Sequence, residues 1–155
     1  MKVELYDKIT VELPDTSVEI NNTKIGEEFK EKKFDYSFIL STESNAVLTV
    51  MHTGNKLEPT AAAERISEYH DVYAVNLKDF QSFSIIEKKN SHIPKAIMTY
   101  RIDDNDGNSV PSVMAVLCID GEEYIISFTC SVKDSVKYLP KVMRIIDSID
   151  FIKGE

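Results

Sequence analysis

The chain is poor in glycine, and that alone removes several kinds of chemistry. Five glycines occur in 155 residues, and none falls in a GxGxxG, GxxxxGK or GxSxG pattern. A backbone cradle for phosphate and a nucleophile elbow are therefore both missing. Histidine is scarcer still: His52, His70 and His92 share no HxxxH or HExxH spacing, so they form no metal motif. Only two cysteines are present, and tryptophan is absent. No run of 18 apolar residues exists, so no spanning helix is written into the chain. Basic residues are outnumbered, 18 Lys and Arg against 26 Asp and Glu, for a net charge of −8. That balance argues against nucleic acid and against docking on anionic membranes, both of which require a basic face. Five prolines and no low-complexity tract leave no linker, and one domain over residues 1–155 is expected.

What is present is a strong β-hairpin. From Ser109 to Ser131 the chain reads SVPSVMAVLCIDGEEYIISFTCS, two apolar runs meeting at Asp120-Gly121. A two-residue turn there pairs Ile119 with Glu122, Leu117 with Tyr124, Ala115 with Ile126 and Val113 with Phe128. Those side chains share one face with Cys130. Met114, Val116, Cys118 and Ile125 occupy the other, with Ser112, Ser127 and Thr129. Both faces are largely apolar, whereas a sheet with one wet face alternates cleanly, so cover is expected on both sides. In this register Cys118 lies opposite Glu123 and Cys130 opposite Pro111. The two thiols point to opposite faces and do not bridge.

Further strands are predicted at Val3–Tyr6, Ile9–Leu13, Val18–Ile20, Tyr36–Ser41, Ala46–Thr53, Ser82–Lys88, Lys95–Asp103 and Ile149–Ile152. A short charged helix is expected over Lys24–Lys33. Two amphipathic helices are predicted. In the first, Pro59 to Leu77, Pro59 suits the first turn, Ala62, Ile66, Tyr69, Tyr73 and Leu77 share one arc, and Glu64, Glu68 and Asp71 lie opposite. The second runs from about Asp134 to Ser148, with Val136, Leu139, Val142, Met143, Ile145 and Ile146 inward. Lys137, Lys141 and Arg144 face out with Pro140, which is expected to kink the helix or open a new segment. Charged outer rows are the ordinary state of helices lying on a sheet.

Candidate chemistry fails when tested by position. Asp103-Asp104-Asn105-Asp106-Gly107 resembles a calcium loop, but aligning Gly107 with the loop glycine leaves Ile102 at the first ligand position and Val113 at the twelfth. A hairpin turn explains the same residues. The sequence therefore nominates no catalytic, cofactor-binding or metal-ligating residue and no cofactor, and leaves partner-binding residues unassigned.

A resemblance can be placed on several of these segments. They are the early strand ending in Leu13-Pro14, the Ala46–Val50 strand before the first helix, and Ile93-Pro94-Lys95-Ala96 opening a strand that ends in Thr99-Tyr100. Tyr124-Ile125-Ile126-Ser127-Phe128 and Ile146-Asp147-Ser148-Ile149-Asp150-Phe151 complete the set. Together they resemble the PsbP/DcrB-like α/β/α sandwich family, whose members include a Ran-binding import factor and Eag-type secretion chaperones. The resemblance implies an α+β fold, a mostly antiparallel β-sheet flanked by helices on both faces. It also implies a non-catalytic protein-binding module, plausible as a chaperone or an immunity-type partner of a secreted protein. The alternative is a small-molecule binder or an enzyme whose site assembles only in the fold. The opening MKVELYDKITVEL lacks a signal-peptide core, so a cytoplasmic location is expected, with envelope anchoring the alternative if a leader has been removed.

Overall fold

The computed structural model describes residues 1–20, 34–77, 79–89, 91–104 and 106–152; the helix expected at Lys24–Lys33 lies outside them. Ten strands and two helices are described. In chain order they are β1 (Lys2–Leu5), β2 (Ile9–Glu12), β3 (Val18–Glu19), β4 (Tyr36–Ile39), β5 (Val47–Lys56), α1 (Ala62–Asn76) and β6 (Gln81–Lys88). Then come β7 (Lys95–Asp103), β8 (Ser109–Ile119), β9 (Glu122–Thr129), α2 (Val132–Ser148) and β10 (Asp150–Phe151).

The hairpin register read from the sequence is the one that forms, from Ile119 opposite Glu122 to Val113 opposite Phe128. Its turn has positive φ at both central residues, 52° at Asp120 and 75° at Gly121, the twist that suits a two-residue connection. β8 and β9 sit inside a seven-stranded antiparallel sheet of order β3-β4-β5-β9-β8-β7-β6. A second sheet, β1-β2-β10, joins strands from the two ends of the chain.

Alternation along the central strands divides the core in two. On one face Leu48, Val50, Ile97, Val113, Ala115, Leu117, Ile126, Phe128 and Cys130 pack with Tyr138, Val142, Ile145 and Ile146 of α2, and with Leu5, Ile9, Val11 and Leu13 of the small sheet. On the other, Ala96, Met98, Tyr100, Met114, Val116, Cys118 and Ile125 pack with Ala62 and Ile66 of α1. The large sheet is thus covered on both faces. The two cysteines, free and buried, lie in different clusters.

Three helical expectations need correction. Pro59 lies ahead of α1, in a turn closed by the Ala61 N–H on the Glu58 carbonyl. Second position in that turn suits the fixed φ of proline. Val136 is 86% exposed, and α2 starts at Val132 rather than Asp134. The buried arc of α2 is centred on Tyr138, Val142, Ile145 and Ile146. At 100° per residue Val136 lies about 130° from the centre of that arc. Pro140 stands exposed within α2, which runs through it to Ser148. The carbonyl deprived of its partner is that of Val136, on the solvent side.

Candidate functional site

The densest convergence of polar groups is on the α1 side of the sheet, around Glu123. Strand alternation from Ile125 carries this residue inward, and it is fully buried. A buried carboxylate is costly unless its lone pairs are taken, and here the neighbouring elements supply the donors. Thr53 Oγ1 donates to Oε1 at 2.7 Å, Tyr69 OH at 2.9 Å and Asn55 Nδ2 at 3.2 Å, while Arg65 Nη1 donates to Oε2 at 2.6 Å. Arg65 is occupied in turn: Nη2 donates to the Lys56 carbonyl at 3.1 Å, and Nε lies 3.5 Å from Glu68.

The electrostatics follow from this geometry. Burial pushes the Glu123 carboxyl up, but the bonds from Thr53, Arg65, Asn55 and Tyr69 outweigh it and hold the group below the usual carboxylate range. Burial, and then the bond to Glu123, pushes the Tyr69 phenol up to about 12. The ion pair raises Arg65. The cluster is therefore ionised and mutually satisfied. A general base needs a lone pair within reach of a substrate proton, and Glu123, fully buried, presents none to solvent in this arrangement. Its evident work is to fasten α1 and the end of β5 to β9.

Above the cluster, Asn55, Lys56, Arg65, Glu68, Tyr69 and Val72 line an open cleft of about 470 Å³. Glu64, Glu68, Asp71, Val72 and Val75 recur at helical spacing along the outward side of α1. Val72 is exposed and Val75 is 84% exposed, so this stripe joins acid groups to bare apolar surface.

The residues weighed in the sequence are dispersed. His52 lies within β5, which runs on to Lys56; its ring stacks on Tyr124 at 4.3 Å, and Nε2 is 3.1 Å from Glu122. His70, on the flank of α1, meets Ser82 at 3.1 Å and Asp71 at 3.2 Å. His92 pairs with Asp150 at 3.2 Å. Asp104 Oδ1 accepts from the N–H groups of Asp106 and Asn108, which makes the acidic segment a self-closed hairpin turn. Among the described residues no group of three or more His, Cys, Asp or Glu is placed to hold a metal ion. None of their helices is long and apolar enough to cross a membrane.

Sequence reasoning missed Glu123. The signal was available, because the same alternation that assigned Ile125 to the α1 face assigns Glu123 there. Residue type alone does not separate it from the adjacent Glu122, which is only half-buried.

No family model and no curated protein matches the chain. Solved structures do. The solution structure of the cyanobacterial PsbP protein CyanoP from Synechocystis sp. PCC 6803 is similar with a TM-score of 0.65 at 9% identity, over 98% of this chain and 92% of that one. LpqN, involved in cell envelope biogenesis of Mycobacterium tuberculosis, gives 0.63 at 10% identity, over 94% and 83%. PA94 of Pseudomonas aeruginosa, a protein of unknown function and putative regulator, gives 0.56 at 10%, over 100% and 96%. The fold is PsbP-like, as the core positions implied.

Proposed function

We propose that the chain is a protein-binding module that carries out no chemistry of its own and docks another protein through the outward stripe of α1 and the adjoining cleft. The observation that carries this reading is the exposure of Val72 and Val75 beside Glu64, Glu68 and Asp71. Bare valines on an otherwise charged helix favour a partner that covers them. The acid groups around them favour one with Lys or Arg at the rim, in keeping with the chain's net charge of −8. A ligand in the cleft would find Glu123 buried and held by four donors, which favours docking over a small-molecule or enzymatic role. A chaperone or an immunity-type partner of a secreted protein is a role this surface would serve.

The test is a photo-crosslinking amino acid placed at Val75 in cells, with adducts identified by mass spectrometry. A discrete adduct that weakens at least tenfold in Glu64→Lys/Glu68→Lys is the expected result. No adduct, or one indifferent to both charge reversals, overturns the reading.

A further inference from the structure

β6 is the outermost strand of the seven-stranded sheet, and it is bare. Seven of its eight residues are exposed and the eighth, Lys88, is half-buried. Phe83 is 60% exposed, and Ile85 and Ile86 are exposed with it. One side of the strand is paired with β7 at every residue but Phe83; along the other, no strand among the described residues lies beside its backbone N–H and C=O groups. Long apolar edges of this kind template pairing with another strand, and proteins ordinarily blunt them with charge, proline or brevity. The opposite edge, β3, has two residues, whereas β6 has eight and no proline.

The faces of β6 are fixed by β7. Ile85 pairs with Met98 and Glu87 with Ala96, so these two lie on the α1 face. Ile86 pairs with Ile97 and Lys88 with Lys95, placing them on the α2 face. A register irregularity at Ser82/Ser84 sets Phe83 outside the ladder.

We infer that β6 pairs antiparallel with β6 of a second copy of this chain, about a two-fold axis perpendicular to the sheet. Such an axis keeps each face with its own kind, so residue i must oppose a residue of the same face. Centred on Ile86, it sets Ile86 against its own copy, Ile85 against Glu87 and Ser84 against Lys88. Centred on Ile85, it sets Ile85 against its own copy and Ile86 against Ser84. Neither register opposes like charges, the arrangement that destabilises cross-strand pairs.

Charge at the edge is also balanced within each copy. Lys89 pairs with Glu87 at 3.4 Å, and Lys88 pairs with Asp147 of α2. The net −8 of the whole chain is therefore not concentrated where the copies would meet, and at physiological salt distant charges are screened beyond about 8 Å. A chain whose edge is complementary to itself is the partner always present at equal concentration. Pairing would join two large sheets into one, with both α1 helices on the same side.

Sedimentation velocity from about 1 to about 200 µM, a range that spans weak and moderate self-association, tests this directly. The expected result is a concentration-dependent dimer that weakens at least tenfold in Ile85→Lys and in Ile86→Lys, each with an unchanged circular dichroism spectrum. A chain that stays monomeric at the top of that range, or a dimer indifferent to both substitutions, overturns the inference. Mild oxidation of Ile85→Cys and Ile86→Cys supplies a readout independent of affinity. At least one is expected to give a disulfide-linked dimer well above that of the exposed control Val136→Cys. If neither exceeds the control, the two-fold pairing is wrong. Because these variants leave the outward stripe of α1 unaltered, loss of the dimer leaves crosslinking at Val75 as a separate test of the docking surface.

Discussion

Arg65 Nη1 lies 2.6 Å from Glu123 Oε2, so the first turns of α1 are tied by charge to the second residue of β9. The pair is asymmetric in exposure. Glu123 is fully buried, while part of the Arg65 side chain reaches the cleft. Removing the cation strands a carboxylate that cannot reach water. Removing both charges strands no ion and leaves only the neutral donors of Thr53, Asn55 and Tyr69 to find other partners.

That asymmetry gives the first prediction. Arg65→Met should destabilise the fold by about 3 kcal/mol, the lower end for breaking a buried ion pair from one side. Arg65→Met/Glu123→Leu should cost clearly less than the sum of the two single changes. Urea denaturation of the four species as a double-mutant cycle measures the difference.

The acid limb of stability should report the same carboxylate. Hydrogen bonds hold Glu123 below its ordinary value in the folded state, against the opposing effect of burial. A depressed folded-state pKa contributes stability that is present above the unfolded pKa and is lost as pH falls through the folded one. Wild-type protein should therefore lose stability on acidification more steeply than Glu123→Gln. Parallel acid limbs in thermal unfolding would refute this.

The hairpin turn tests a backbone claim free of packing. Gly121 has φ of +75°, and a Cβ built there meets nothing within 4 Å. Gly121→Ala therefore has space but the wrong hand, and should cost about 1–2 kcal/mol. A change within error of zero by chemical denaturation would mean the turn relaxes to another type.

These tests also mark how far the sequence could be read. The β8–β9 register was legible because Asp120-Gly121 and strict alternation are local signals, and alternation then dictated that Cys118 and Cys130 part company. The arc of α2 was less legible. Val136 resembles its apolar neighbours in composition, and only the angular position of Tyr138, which was not placed on the inward arc, shows where the buried face is centred. Glu123 needed four donors that are distant in sequence, from Thr53, Asn55, Arg65 and Tyr69. No local pattern brings those together. The open edge at β6 was invisible for the same reason, since strand order is a property of the whole sheet.

The α2 correction is itself testable. Val136 is 86% exposed and Tyr138 is buried, two positions apart on one helix. Val136→Ser should stay within about 0.5 kcal/mol of wild type, as surface changes do. Tyr138→Ala should cost about 3 kcal/mol or more through the cavity it leaves. The reverse order would restore the arc read from the sequence.

The last prediction concerns the thiols. Cys130 is buried, and that burial, then the nearby Asp134 carboxylate, pushes its thiol up to about 11. Cys118 is buried against the opposite face, its Sγ 3.3 Å from the Leu57 carbonyl. Alkylation proceeds through the thiolate and requires access. Burial denies access to both, and the raised Cys130 thiol is also protonated at neutral pH. Iodoacetamide at neutral pH should therefore label neither cysteine in the folded protein over an hour and both within minutes in urea. Because the side chains point to opposite sides of one sheet, oxidant should give no intramolecular disulfide without prior unfolding. Mass spectrometry of the native protein reads both outcomes at once: rapid labelling of Cys130 alone would mean that the α2 face opens locally, and an internal disulfide would contradict the division of the core into two clusters.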